Sequence, residues 1–539
     1  MARSRGRSDR HTVWEQMERG SRMSKKFFRR TIIALCGVVL SLPIYARTLP
    51  TTAPLAPNED EPYAHLFGDT SVPPDRPQAL FWDELPEGTV DEEKETTDAR
   101  TFAAAQAAKA DALSAASNAM WRVQHPQAMP WTPPSTKAKV KVGAERLFEE
   151  EKYRQLIRGK RIGLITNPTG IDSRFVSTID KFAEAPDCTL TALFAPEHGV
   201  RGAQAAGERV ETTTDPITGV IVYSLHGRDA KKRPQNKPRP SMLRNVDVLV
   251  YDIQDIGNRS YTYVGTMKLC MQAAAENNKE FIVLDRPNPM GGNLVSGNVA
   301  DPKFVTLVGW APVAYLYGLT PGETAMWLND YYKIGCKLTV VPMKGWKREM
   351  KWWDTGLPWI PTSTHMQVPE ACWYIAITGM LGELLAVNVG VGYPYPFAYV
   401  GAPWMDARRL AAELNSRNLP GLYFRPAYFK PFYSVYKDKL CEGVQIHILD
   451  FDKVEPVEAG IHLIEAIQKL YPEQRILYGG AAATPARQRA RVGAFNKVMG
   501  TTRVRRQLLE GKSAEEIIRD WSKEREEFRK SRERYFLYR

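Results

Sequence analysis

Residues 246–285 read VDVLVYDIQDIGNRSYTYVGTMKLCMQAAAENNKEFIVLD. Two continuous apolar runs, "VDVLVYDI" and "FIVLD", flank the helix-like "TMKLCMQAAAENN". A strand with one wet face alternates apolar and polar residues. A run apolar at successive positions fits a strand buried on both faces, as in a parallel sheet. Strand, helix and strand within so short a stretch make one parallel crossover unit.

The same rhythm extends in both directions. "RIGLIT" (161–166) is a strand candidate after the amphipathic "RLFEEEKYRQLI", "FVSTIDKFAEA" reads as helical, and "TLTALFA" (189–195) and "GVIVYSL" (219–225) read as strands. The expected class is α/β, a parallel sheet covered on both faces by helices. "GLTPGETAMWLNDYY" carries a Thr-x-x-Glu capping box, so Glu323 is read as structural. The tail "SAEEIIRDWSKEREEFRKSRERYF" reads as a charged, solvent-facing helix without a site.

A chain of 539 residues exceeds one ordinary core, and 43% hydrophobic with 25% charged residues is a soluble globular composition. Of the net +12, residues 1–46 supply +7, from ten basic and three acidic side chains. The remainder is too weak an excess to argue for nucleic acid. Those first residues read as a leader. From Met23, the expected true start, a basic "MSKKFFRR" precedes an apolar "TIIALCGVVLSL" and a small residue, Ala46, the order of a secretory signal. Export to the periplasm or exterior of a bacterium is expected, with no stable membrane span after cleavage. Residues 47–140, rich in Pro, Ala, Thr and acidic side chains, read as a low-complexity extension. Cys188, Cys270, Cys336, Cys372 and Cys441 are scattered and odd in number, which argues against a disulfide framework.

Each strand candidate ends in polar residues. "RIGLIT" runs into Asn167; "TLTALFA" into Pro196-Glu197-His198-Gly199; "VLVYDI" into Asp252, Asp255, Arg259, Tyr261 and Tyr263; "FIVLD" into Asp285, Arg286 and Asn288. Ligands of open α/β sheets sit at the carboxyl ends of the strands. Four such tips together would line a polar pocket, although singly an Asn-Pro makes a turn and an Asp caps a helix. His226, in "SLHGR", reads as an isolated loop histidine. Glu197, His198, Asp252 and Asp255 lack the spacing of a known metal motif, and "TNPTGID" is no phosphate loop, so neither metal nor cofactor is expected.

"TNPTG", "APEHGVRG", "YDIQDIGNRSYTY", "LDRPNP", "GLTPGE", "PF", "GAPW" and "GVQIHI" follow one another from residue 166 to 448. In that order they resemble the NamZ-type exo-β-N-acetylmuramidases, secreted bacterial peptidoglycan hydrolases, over about residues 143–539. The resemblance implies a Rossmann-like catalytic domain (141–368), a smaller α+β auxiliary domain (369–539), and removal of N-acetylmuramic acid from the non-reducing ends of peptidoglycan fragments. Many relatives carry a Gly-Arg-Gly-Thr turn before the Pro-Phe pair. Here the stretch reads "GELLAVNVGVGYPYPF", without arginine, where the auxiliary domain would meet the cleft.

Glycoside cleavage needs an acid at the leaving oxygen and a group that traps or stabilises the cationic centre. Glu197 is the expected acid, tuned by His198. Asp252, Asp255 and Asp285 are candidates for the second role, as is the 2-acetamido group of the sugar itself. Arg259 and Arg286, and less so Arg201, suit the lactyl carboxylate of muramic acid, because a guanidinium binds a carboxylate through two parallel hydrogen bonds. Tyr261 and Tyr263, alternating on an extended segment, would offer a stacking face, with Asn167, Asp285 and Asn288 as further substrate contacts. The competing readings are a non-catalytic cell-wall sugar-binding protein and a metal-assisted hydrolase of another cell-wall bond.

Overall fold

The computed structural model describes residues 135–202, 212–227, 235–479 and 486–539. The leader and nearly all of the low-complexity extension lie outside these residues. The packed chain begins before residue 141: the Lys139 amide donates to the Thr355 carbonyl at 2.8 Å and Val140 is fully buried.

Twelve strands are described. They are β1 Arg161–Thr166, β2 Thr189–Ala195, β3 Thr213–Thr214, β4 Ile221–Ser224, β5 Val248–Asp252, β6 Glu280–Leu284, β7 Ser296–Val299, β8 Ala314–Leu316, β9 Lys337–Val341, β10 Tyr399–Ala402, β11 Leu422–Phe429 and β12 Cys441–Ile448. The main sheet has the order β3-β4-β2-β1-β5-β6-β9. Every pairing in it is parallel except that of the edge strand β3 with β4. Counting only the parallel strands in chain order gives 3-2-1-4-5-6, the doubly wound arrangement in which the chain reverses direction across the sheet between β1 and β5.

The apolar runs are continuous because both faces are covered. Val248 and Val250 of β5 and Ile282 and Leu284 of β6 join the core built with Val142, Leu147, Ile179 and Phe182. Their neighbours Leu249, Tyr251, Phe281 and Val283 face the opposite core, with Val264, Met267 and Met271 of the helix Thr262–Glu276. Successive strand residues point to opposite faces, so two cores are served by one uninterrupted run. The Thr320–Glu323 capping box forms as read, with Pro321 in the first turn of the helix Pro321–Tyr331. The amphipathic "RLFEEEKYRQLI" does not form one helix. It breaks at Glu150, whose backbone is extended between Gly143–Glu149 and Glu151–Arg154.

The second half builds an antiparallel sheet, β10-β12-β11, under the helices Ala371–Gly382, Ala407–Ser416 and Pro456–Leu470. The tail helix Ala514–Ser531 corrects the sequence reading, since one face of it is buried through Ala514, Ile517, Trp521 and Phe528. Beyond it the chain returns to the parallel sheet. The Tyr538 hydroxyl donates to Asp285 Oδ2 at 2.5 Å, and the Leu537 amide to Glu323 Oε1 at 2.9 Å. The five cysteines after the leader are all free thiols. Among the described residues no helix is long and apolar enough to cross a membrane.

Candidate active site

β2 stops at Ala195 because Pro196 has no amide hydrogen to continue the ladder. The next residues form a tight turn, closed by the Gly199 amide donating to the Pro196 carbonyl at 3.0 Å. His198 sits at φ +71°, in the left-handed region that side chains with a Cβ seldom occupy. Such a conformation at a strand tip is the kind of backbone strain that collects at working sites.

Glu197 is buried, at 7% exposure. The Thr262 hydroxyl donates to its Oε2 at 2.9 Å, and His226 Nε2 lies 3.9 Å from its Oε1. The sequence reading missed His226, and sheet register explains its place. Ala195 of β2 pairs with Ser224 of β4, so the residues two further on, Glu197 and His226, leave the sheet at the same level. The strand order needed for that deduction is not visible in the sequence. A third imidazole, His365, also belongs to the group. Burial and the nearby His198 lower the pKa of both His226 and His365, while the Glu197 carboxylate pulls that of His226 back up. The neutral forms of these two imidazoles are thereby favoured, each with one nitrogen to donate and one to accept.

Tyr261 and Tyr263 face this carboxylate, which helps burial to raise the pKa of both phenols. They do not lie on an extended segment: Tyr261 caps the helix Thr262–Glu276 and Tyr263 is in its first turn. Their rings meet edge to face, with centroids 4.9 Å apart at 82°. The Tyr261 hydroxyl pairs with Thr362 Oγ1 at 2.9 Å, and the Tyr263 hydroxyl donates to the Thr362 carbonyl. They wall the site and hold the 362–365 segment in place, but present no flat stacking face.

Asn167 closes the first strand tip. Its Oδ1 accepts from the Thr169 amide at 3.0 Å and the Thr169 hydroxyl at 2.5 Å, and its side chain also interacts with the Tyr263 hydroxyl. Gly170 is required there, because a Cβ would stand 2.1 Å from Thr166 Oγ1.

Several expected site residues have partners within the fold. Arg286 clamps Asp252, with Nε at 2.6 Å from Oδ1 and an Nη at 2.9 Å from Oδ2. Thr178 donates a further hydrogen bond to Asp252, and Arg286 also reaches the Ile171 carbonyl at 2.8 Å. This ion pair fills the β1/β5 crossover point, where a dinucleotide would otherwise bind. Arg259 is fully buried and donates to the carbonyls of Asn298, Val313, Val498 and Met499, so it ties the two halves together and is not available to a carboxylate ligand. Asp285 accepts from Thr320, the Gly322 amide and Tyr538, with burial raising its pKa to about 7. Asn288 accepts from the Met290 amide at 3.1 Å and donates to the Leu319 carbonyl at 3.1 Å. Arg201 is held by both oxygens of Asp215. Asp255 accepts from the Gly257 amide at 2.8 Å and from Tyr317, its other oxygen is buried without a partner, and burial raises its pKa to about 6. Among the described residues no group of three or more His, Cys, Asp or Glu side chains is arranged to hold a metal ion.

Comparison with known proteins agrees with this layout. Residues 162–370 match the family model described as exo-beta-N-acetylmuramidase NamZ, N-terminal, and residues 373–538 match its C-terminal counterpart. The chain is 42% identical over 402 residues to the peptidoglycan beta-N-acetylmuramidase NamZ of Bacillus subtilis strain 168, covering 75% of this chain and 92% of that protein. Two solved DUF1343 family proteins of Bacteroides fragilis NCTC 9343 share the fold. One is 43% identical with a TM-score of 0.68, covering 75% of this chain and all of the other. The second is 29% identical with a TM-score of 0.57, covering 74% of this chain and 99% of the other.

Proposed function

The chain belongs to the exo-beta-N-acetylmuramidase NamZ family, and from that membership we infer what its strand-tip site does. The protein is a glycoside hydrolase that removes N-acetylmuramic acid from the non-reducing ends of peptidoglycan fragments. The observation that carries this reading at the level of chemistry is Glu197, a buried carboxyl hydrogen-bonded to Thr262 and set beside His226 at the carboxyl edge of the sheet.

Glu197 is the acid that protonates the glycosidic oxygen, and its threonine hydrogen bond fixes which oxygen faces the bond. His226 and His198 hold and orient the proton at that carboxyl. Asn167, at the neighbouring strand tip, is a further candidate contact for a substrate oxygen. For the second role, Asp252 and Asp285 are engaged by partners within the fold, which makes them the weaker candidates. Asp255, with one oxygen unpartnered, and the 2-acetamido group of the substrate are the remaining sources of stabilisation for the cationic centre. The three arginines considered for the lactyl group each have partners within the fold.

The test is hydrolysis of a chromogenic N-acetylmuramide beside the matching N-acetylglucosaminide, with and without chelator. Release from the muramide alone, unaffected by chelator and lost in Glu197→Gln, is expected. Binding without release would favour a sugar-binding protein, and loss on chelation a metal-assisted hydrolase. Export fits a substrate outside the cytoplasm. A mature amino terminus close to Arg47 is expected by terminal sequencing, and an intact leader would contradict it.

A further inference from the structure

An exo-acting hydrolase must hold the sugar it releases and also the leaving sugar beyond the bond. Tyr261 and Tyr263 cannot provide that second surface, being edge-on and tied to Thr362. The exposed aromatic surface beside the site comes from the other half of the chain, in the loop between β11 and β12. Phe432 is 60% exposed and Tyr433 37% exposed, with ring centroids 5.2 Å apart.

This loop is rigidly held. Tyr433 hydroxyl and His365 Nε2 are hydrogen-bonded, and the two rings are close to parallel, at 22° with centroids 6.0 Å apart. The Phe432 amide donates to the Gly392 carbonyl, and the Asp438 amide to the Pro431 carbonyl, each at 2.8 Å. Gly392 stands at φ +84°, and a Cβ there would lie 2.2 Å from the Tyr433 carbonyl oxygen, so only glycine allows the approach. Ser434, Tyr436 and Asp438 all take positive φ. A loop that is expensive to shape and yet leaves a phenyl ring in water is not explained by folding alone. Its position supplies the explanation. Tyr433 is hydrogen-bonded to His365, which follows by three residues the Thr362 held by Tyr261 and Tyr263, and Thr262 between those tyrosines donates to Glu197. The aromatic pair is thus continuous with the acid.

We propose that Phe432 and Tyr433 form the leaving-group subsite, on which the C–H face of the N-acetylglucosamine ring stacks while its glycosidic oxygen is presented to Glu197. The proposal rests on the muramidase reading above. A pyranose suits the surface: equatorial hydroxyls leave one face of axial C–H bonds that an aromatic ring covers. It also gives the arginine-free "GVGYPYPF" segment a role, since Gly392 seats the loop and the Phe397 ring stands 6.3 Å from His365, edge to face.

The test uses the full chain and its Phe432→Ala and Tyr433→Phe variants. Three substrates are compared: the peptide-free disaccharide N-acetylmuramyl-β-1,4-N-acetylglucosamine, its peptide-bearing form, and 2,2,2-trifluoroethyl β-N-acetylmuramide, whose leaving group has no ring. In Phe432→Ala the KM for both disaccharides is expected to rise about tenfold, with turnover of the trifluoroethyl glycoside within about twofold of the parent. Tyr433→Phe keeps the stacking face, and its disaccharide KM should change less than that of Phe432→Ala. Equal losses on all substrates, no loss on any, or a loss confined to the peptide-bearing form would each overturn the subsite. A parent protein that cleaves none of the three sinks the muramidase reading itself.

Discussion

Glu197 leaves the end of β2 and Asp252 ends β5, and these two strands flank β1 on opposite sides. Both carboxyls are buried at the carboxyl edge of one sheet, yet their surroundings differ in kind. Asp252 receives a two-pronged guanidinium and a threonine hydroxyl. Glu197 accepts from the Thr262 hydroxyl and has the His226 imidazole 3.9 Å from its other oxygen. A carboxyl saturated by a fixed cation is a structural tie, because removing either partner leaves a buried charge uncompensated. One that keeps an oxygen beside a titratable ring can exchange a proton with a substrate. The difference between a working tip and a structural tip lies in the partners, not in the acid.

That contrast can be broken from either side. The largest effect is expected from Glu197→Gln, which should lower kcat about a thousandfold with the thermal midpoint little changed. Arg286→Ala should instead unfold the crossover point, costing about 3–5 kcal/mol in a denaturant titration, and Arg286→Lys should restore little of it because an ammonium cannot make the paired contact. Tyr538→Phe, which removes a donor to Asp285 and the acceptor of the Met343 amide, should cost about 2 kcal/mol with activity per folded molecule unchanged.

A pH slope is expected as well. Burial places Asp285 at about 7 and Asp255 at about 6 in the folded protein, against an ordinary 3.8. A raised carboxyl binds its proton more tightly when folded, so its contribution is complete below about pH 4 and is lost as pH rises through 6 to 7. Hydrogen bonds to the ionised forms oppose burial at both sites, and the raised values are what remains after that opposition. Melting curves from pH 4 to 8 should show a midpoint falling by a few degrees, and less so in Asp285→Asn.

The parallel sheet was legible because "VDVLVYDI", "FIVLD" and "TLTALFA" can be apolar throughout only when both faces are covered. Glu197 was legible as a polar residue at the end of such a run, reinforced by the "APEHG" resemblance. Asp252, Asp285, Arg286 and Asn288 show what the sequence does not tell apart, since a strand tip must also close itself and uses the same residue types to do so. One signal was present for the ion pair: Asp252 and Arg286 emerge at similar depth from strands that prove to be neighbours. Arg259 gave none, because its four carbonyl partners span residues 298 to 499. The pairing of His365 with Tyr433 was hidden for the same reason, since it joins residues 68 apart in sequence.

The contrast between the two tips is tested most directly by measuring muramide turnover and thermal midpoint together on Glu197→Gln and Arg286→Ala. The expected pattern is crossed: turnover lost with the midpoint retained in the first, and the midpoint lowered with activity retained per folded molecule in the second. A Glu197→Gln protein that still cleaves the muramide at the parent rate would contradict the account.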